Sequence, residues 1–181
     1  MTDGGHSGYY FGPATDAEPC VHGACRAGYP PGTPSPGDGA VEAWLAAMAA
    51  RDVDRVLCLL PDHTLSRYDD ALGRYRDQFG PERVRQVPIP DHRLADVATL
   101  REEVLPFLST ADAADERVVV HCTAGLGRTG HVMAAWLVAA RGYDPVAALA
   151  AVEDAGRTPR EAVVTGHATE ADLRALLAAV A

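Results

Sequence analysis

At 181 residues the chain is long enough for one domain with a sizeable core and short for two. Sixteen arginines, no lysine and 25 acidic residues leave a formal charge of -9, which disfavours general nucleic-acid binding. Apolar runs stay far below the ~20 residues of a membrane span and "MTDGGHSGYYFG" has no secretory pattern, so a cytoplasmic monomer with reduced thiols, away from the membrane, is expected.

In chain order, residues 1–18 read as a flexible, Gly-rich N-terminal tail whose Tyr9, Tyr10 and Phe11 can pack on the body, and residues 19–181 as a single catalytic domain. A short strand is expected near Val21, and "GYPPGTPSPGDG", from Gly28 to Gly39, must be a loop. Val41, Trp44, Leu45 and Met48 fall at helical spacing, which predicts a helix with one buried face. "DRVLCLLP" reads as a buried strand stopped by Pro61. Ser66 reads as the cap of the amphipathic helix "SRYDDALGRYRDQFG", which closes at Gly80. "RVRQVPIPD" is extended as far as Asp91, and a helix runs from about Asp96 to Thr110. The strand "RVVVHC" follows, then a helix from Thr129 to Arg141 ended by Gly142. The last third is helical, with Pro145 and Thr169 as starts and Gly156 as a stop. Strands alternating with helices predict an α/β fold with a central, mostly parallel sheet flanked by helices.

The chemistry concentrates in "CTAGLGR", where five residues separate Cys122 from Arg128 between a strand and a helix. Such a loop binds an oxyanion. Gly125 and Gly127 permit unusual dihedrals that turn the backbone N–H groups of Thr123, Ala124, Gly125, Leu126 and Gly127 inward, and the following helix offers its positive end to the same point. Arg128 adds a planar fork for two phosphate oxygens. The field that holds a dianion also stabilises a thiolate at Cys122, placing a nucleophile beneath the phosphorus with no metal or cofactor required. The bland alternative is a buried cysteine in an ordinary turn, but Cys, two Gly, Arg and Thr at fixed offsets after a valine strand argue against it.

"HCTAGLGRTG" resembles the His-Cys-x5-Arg-Ser/Thr signature of the cysteine-based protein phosphatases, in their dual-specificity branch, and "AGLGRTG" is especially similar to the Cdc14-like and regenerating-liver phosphatase groups. The resemblance implies a strand–P-loop–helix active site and a protein tyrosine or dual-specificity phosphatase that forms a phosphocysteine. It implies Cys122 as nucleophile, Arg128 as phosphate clamp, Thr129 as support for the departing thiolate, and His121 as a residue that orients the loop and tunes the thiol. The leaving oxygen needs a proton, so a carboxylic acid must face the cysteine. Asp91, 31 residues before Cys122 and similar in position to the family's acid loop, is the candidate, with Asp96 as fallback. His92 and Arg93 flank it. Cys58, on the strand expected beside that of Cys122, is by resemblance to some lipid and regenerating-liver phosphatases a candidate redox partner, and otherwise a small buried hydrophobe. Arg157 reads as a helix-end cation or a residue bordering the pocket.

Cys20, His22 and Cys25 lack a fourth ligand at zinc-like spacing, so no metal is expected. A rhodanese-type sulfurtransferase would use a shorter loop. A phosphate-binding pseudophosphatase, the alternative reading, generally loses the cysteine, arginine or acid, whereas this chain keeps a candidate for each. Uncharged Thr123, Ala124 and Leu126 disfavour phosphoinositides and inositol phosphates and leave phosphorylated proteins or small phosphomonoesters as the expected substrates.

Overall fold

The computed structural model describes residues 8–29 and 39–181; residues 1–7 of the tail and 30–38 of the Pro/Gly loop lie outside the described residues. Five consecutive buried residues, Val118–Cys122, form the central strand, a pattern that arises when helices cover both faces of a sheet. Among the described residues the strands are β1 (Gly12–Pro13), β2 (Val21–Cys25), β3 (Arg55–Cys58), β4 (Val84–Gln86) and β5 (Val118–Cys122). Their spatial order is β1-β2-β5-β3-β4. β2, β5, β3 and β4 are parallel, and β1 runs antiparallel to β2 at the edge. The expected mostly parallel α/β sheet is what forms.

Alternation along β5 divides the core in two. Val119 joins Val56, Trp44, Met48 and Tyr75 beneath α1 (Ala40–Ala49) and α3 (Ala71–Phe79). Val118, Val120 and Leu57 face the opposite way, onto Leu100 and Leu108, which belong to the helical run of α4 (Val97–Thr99), a π turn (Leu100–Val104) and α5 (Leu105–Ala113). The same cluster includes α6 (Gly127–Arg141), α7 (Pro145–Asp154) and α9 (Glu170–Ala179). Two short helices, α2 (Asp62–Leu65) and α8 (Glu161–Val164), complete the α-helices among the described residues. α6 is buried from Gly127 through Val138. At about 1.5–3 kcal/mol for each fully buried large apolar side chain, Val132, Met133 and Leu137 pin this helix, and with it the loop it follows.

Three sequence expectations need correction. The boundary at residue 18 falls inside the folded body: Gly12 and Pro13 pair with Gly23 and His22, Ala14 is fully buried, and the Glu18 carboxylate accepts from the N–H groups of Cys20 and Val21. A two-residue strand carries no periodicity to read. Ser66 is not the cap of α3; Asp70 is, in the left-handed region at φ 51°, accepting from the N–H of Gly73. Ser66 ends α2 instead, donating to the carbonyl of His63. The helix expected from Asp96 to Thr110 extends to Ala113 and carries the π turn, because Pro106 has no N–H to continue the regular ladder and the Leu105 N–H reaches back to Leu100.

Candidate active site

β5 delivers Cys122 to the C-terminal edge of the sheet, and α6 begins five residues later at Gly127, two residues before the expected start. The intervening turn is shaped by contacts that need glycine. Gly125 has φ +73°, and a β-carbon there would stand 2.4 Å from the carbonyl oxygen of Ala24. Outside donors hold two of the loop's carbonyls. The N–H of Arg26 donates to Thr123 at 3.1 Å, and Arg157 Nη1 donates to Gly125 at 2.6 Å.

Arg157 is the main residue whose part the sequence did not show. It is 5% exposed, and its Nη2 also donates to the carbonyls of Tyr10, Gly23 and Gly12 at 2.8, 3.0 and 3.2 Å. Burial lowers it to about 10, so it stays charged at neutral pH. One buried guanidinium thereby ties the signature loop to β2 and to the segment preceding it. Gly23 makes room: a β-carbon would stand 3.0 Å from the Arg157 Cζ.

Of the expected site residues, Thr129, Arg128 and Asp91 gather at the Cys122 loop. The Thr129 hydroxyl donates to the Cys122 Sγ at 3.2 Å. Arg128, 3% exposed, donates through Nη2 to the Thr123 hydroxyl at 2.9 Å and through Nη1 to the Ile89 carbonyl at 3.2 Å. Its Nη2 also pairs with Asp91 Oδ1 at 2.9 Å, and among the described residues its buried Nε has no hydrogen-bond partner. Asp91 is 58% exposed, at the turn after Pro90, so a carboxylate does face the cysteine loop across the clamp. Asp96 is occupied elsewhere. It caps α4, accepting from the Thr99 N–H at 2.7 Å and the Thr99 hydroxyl at 3.1 Å, and the Thr99 backbone bond holds its carboxyl below the usual range. Beside Asp91, His92 Nε2 lies 3.7 Å from Asp91 Oδ2 and its Nδ1 3.8 Å from Glu161 Oε2. Glu161 sits so close over Gly127 that a β-carbon there would be 1.9 Å from Oε2.

His121 points to the other face of the sheet. Its ring, fully buried, lies 5.1 Å from that of Trp44 and 5.7 Å from that of Tyr75. Burial pushes it down to about 3, so it is neutral and packs as an aromatic neighbour. Cys58 lies on β3 beside β5 as expected, but its register partner is His121, and the residue opposite Cys122 is Cys25. Burial pushes Cys25 up to about 11 and Cys58 up to about 12, so both are protonated thiols at neutral pH.

Neither group of metal-ligating atoms among the described residues is free for an ion. Cys20 gathers with Glu18 and Asp112, not with His22 and Cys25, and Arg141 pairs with both carboxylates. In the group of Asp91, His92 and Glu161, Asp91 is paired with Arg128. A concavity of about 330 Å³ opens beside Cys20 and Asp54, flanking the N-terminal ends of the strands; Asp52, Asp54, Asp112, Asp115 and Glu116 outweigh Arg117 in its lining and would repel a phosphate.

What the Cys122 edge can hold is a tetrahedral oxyanion, seated at the N-terminus of a buried 15-residue helix against a buried guanidinium. Comparison with known proteins gives the family. The family "Dual specificity phosphatase, catalytic domain" matches residues 70–170, which hold Asp91, Cys122 and Arg128. The Drosophila melanogaster dual specificity protein phosphatase Mpk3 is 36% identical over 92 residues, 51% of this chain and 22% of that protein. Vaccinia virus dual specificity protein phosphatase OPG106 is 36% identical over 52 residues, 29% of this chain and 30% of that protein. The chain thus spans under a third of the length of either relative. The active form of Tk-PTP superposes with a TM-score of 0.63 at 24% identity, covering 89% of this chain and 90% of that one. With the signature loop, its flanking strand and helix, and the matched region spanning more than half of its length, this chain belongs to the dual specificity phosphatase catalytic-domain family.

Proposed function

We propose that the protein is a metal-independent phosphomonoester hydrolase, of the protein tyrosine or dual-specificity class, that works through a phosphocysteine on Cys122. The observation that carries this reading is the convergence of Cys122, Thr129, Arg128 and Asp91 at one edge of the sheet. The P-loop amides of Thr123 to Gly127 and the Arg128 fork hold the phosphate. As Arg128 turns from Asp91 to the phosphate, the carboxyl is released toward the leaving oxygen. The Cys122 thiolate attacks phosphorus, the P–O bond to the leaving group breaks, and protonated Asp91 gives its proton to the departing oxygen. Asp91, now a carboxylate, takes a proton from water as the water oxygen attacks phosphorus. The S–P bond breaks, and the Thr129 hydroxyl stabilises the departing thiolate. His121 contributes by packing beneath the loop.

The substrate class follows from charge. Uncharged Thr123, Ala124 and Leu126, with Glu161 at the rim, suit a single phosphate on a protein side chain better than a polyphosphorylated lipid. We place the protein in the cytoplasm, where its four thiols stay reduced, acting as a monomer without nucleic acid. Among the described residues no helix is long and apolar enough to cross a membrane. Cys58 is the proposed redox partner; peptide mapping after peroxide should find it joined to Cys122, and a Cys25–Cys122 link would reassign the partner. The test of function compares phosphotyrosyl and phosphoseryl peptides with a phosphoinositide. Phosphate release from the peptides at a higher kcat/KM than from the lipid supports the reading, the reverse order makes it a lipid phosphatase, and tight binding with no release makes it a phosphate-binding module.

A further inference from the structure

Between Ile89 and Ala95 the chain carries Asp91 on five residues, 90–94, whose internal restraint among backbone bonds is a single turn from the Arg93 N–H to the Pro90 carbonyl. Both ends of this segment are held by α6. At the first end the Ile89 carbonyl accepts from Arg128 Nη1 at 3.2 Å, while the Ile89 N–H donates to Leu59. At the other end the Ala95 N–H donates to His131 Nε2 at 3.0 Å. Arg128 and His131 stand three residues apart, so they share one face of the helix. We propose that His131 is a positioning residue for the general acid, fixing the far end of the Asp91 loop to the helix whose first turn holds the phosphate.

The bonding determines how the imidazole works. Because Nε2 accepts from Ala95, the ring proton sits on Nδ1, which faces the Gly127 carbonyl at 3.4 Å. The ring therefore bridges the acid loop and the signature loop in one tautomer. At 1% exposure it is shielded from water that would compete for the Ala95 amide. Asp91 lies four residues from this anchor, with His92 between them in the left-handed region at φ 57°. A loop released at Ala95 would let the carboxyl drift from the leaving oxygen, and misplacement of about 1 Å costs on the order of 100-fold when a reacting group must be in register.

The proposal rests on the phosphatase reading, and leaving-group dependence separates the two. Proton donation matters for phenyl phosphate, whose phenol has a pKa of about 10, and little for an activated aryl phosphate whose phenolate leaves unprotonated. His131→Leu keeps bulk and loses the acceptor; His131→Gln keeps an acceptor near Nε2. His131→Leu should lower kcat/KM for phenyl phosphate by about 10- to 100-fold and for the activated ester by less than about 3-fold, with His131→Gln recovering most of the loss. In an Asp91→Asn background His131→Leu should add less than about 2-fold, because it acts through that carboxyl. Equal losses on both esters, or full additivity with Asp91→Asn, would overturn the role of His131 while leaving the phosphatase reading intact. Wild-type protein that hydrolyses neither ester overturns both. If His131→Leu does not fold, amide exchange of the wild type decides: Ala95 should be protected, and an unprotected Ala95 amide in the folded protein refutes the anchor.

Discussion

Replacing Arg157 by Met, which keeps most of the aliphatic stem and removes the guanidinium, tests how the signature loop is held. The side chain donates to four carbonyls, those of Gly125, Tyr10, Gly23 and Gly12, at 2.6 to 3.2 Å. Hydrogen bonds from a charged donor are worth about 1.5–3 kcal/mol each, so the three shortest total about 5–9 kcal/mol. Removing the charge also recovers the several kcal/mol spent on desolvating it, leaving a net loss of about 2–4 kcal/mol. That is a large share of the ~5–15 kcal/mol typical of a domain. Urea unfolding followed by circular dichroism should show the midpoint falling at nearly constant slope. Phosphatase activity per folded molecule should fall as well, because the Gly125 carbonyl loses its tether. A midpoint shift worth less than about 1 kcal/mol with full activity would refute the claim that Arg157 carries the loop.

Other consequences are equally measurable. Thr129→Ala removes the donor to the Cys122 sulfur and should slow thiolate departure by roughly 10- to 100-fold, seen as a burst of leaving group followed by a slow steady state. Gly125→Ala forces a β-carbon to 2.4 Å from the Ala24 carbonyl oxygen at φ +73°; it should cost more than the ~1–2 kcal/mol of left-handed strain alone and abolish turnover, read by thermal unfolding and assay. Three buried imidazoles set an acid limit on stability, because burial lowers His22 and His131 to about 4 and His121 to about 3. Below their ordinary 6.5 the unfolded chain takes up protons that the folded chain refuses. Stability should therefore be full above pH 6.5 and fall toward pH 4, by up to about 1.4 kcal/mol per pH unit for each ring, a slope that urea titrations at several pH values would reveal.

How much of this was legible in the sequence depends on whether the responsible contacts are local. The valine strand, the Cys122-to-Arg128 loop and the helix after it lie in one continuous stretch, and their spacing alone marked out the candidate oxyanion site. Thr169 likewise carries its capping box with Asp172 three residues on, and the start of α9 was readable from it. Asp91 was picked out by the proline that ends the extended segment before it together with its similarity in position to the acid loop of the family that the signature resembles. Arg157 could not be placed, since its partners are backbone carbonyls 32 to 147 positions away, and a carbonyl has no sequence signature. His131 is a lone histidine on a helix, and its partner is the amide of an alanine 36 positions earlier. Asp70 displaced Ser66 as cap through a left-handed backbone that single-residue preference does not foresee. The Cys58 reading placed the right strand beside β5 but could not supply the register, which sets Cys25 opposite Cys122.

In the proposed reaction Cys122 takes a phosphoryl group without a metal. Its most direct test is hydrolysis of p-nitrophenyl phosphate in excess EDTA by wild-type protein and by Cys122→Ser, with folding of both checked by circular dichroism. Metal-free chemistry on Cys122 requires steady turnover by the wild type in the chelator and none above background by the folded serine variant. Wild-type activity that vanishes in EDTA, or a serine variant that keeps its rate, would contradict it.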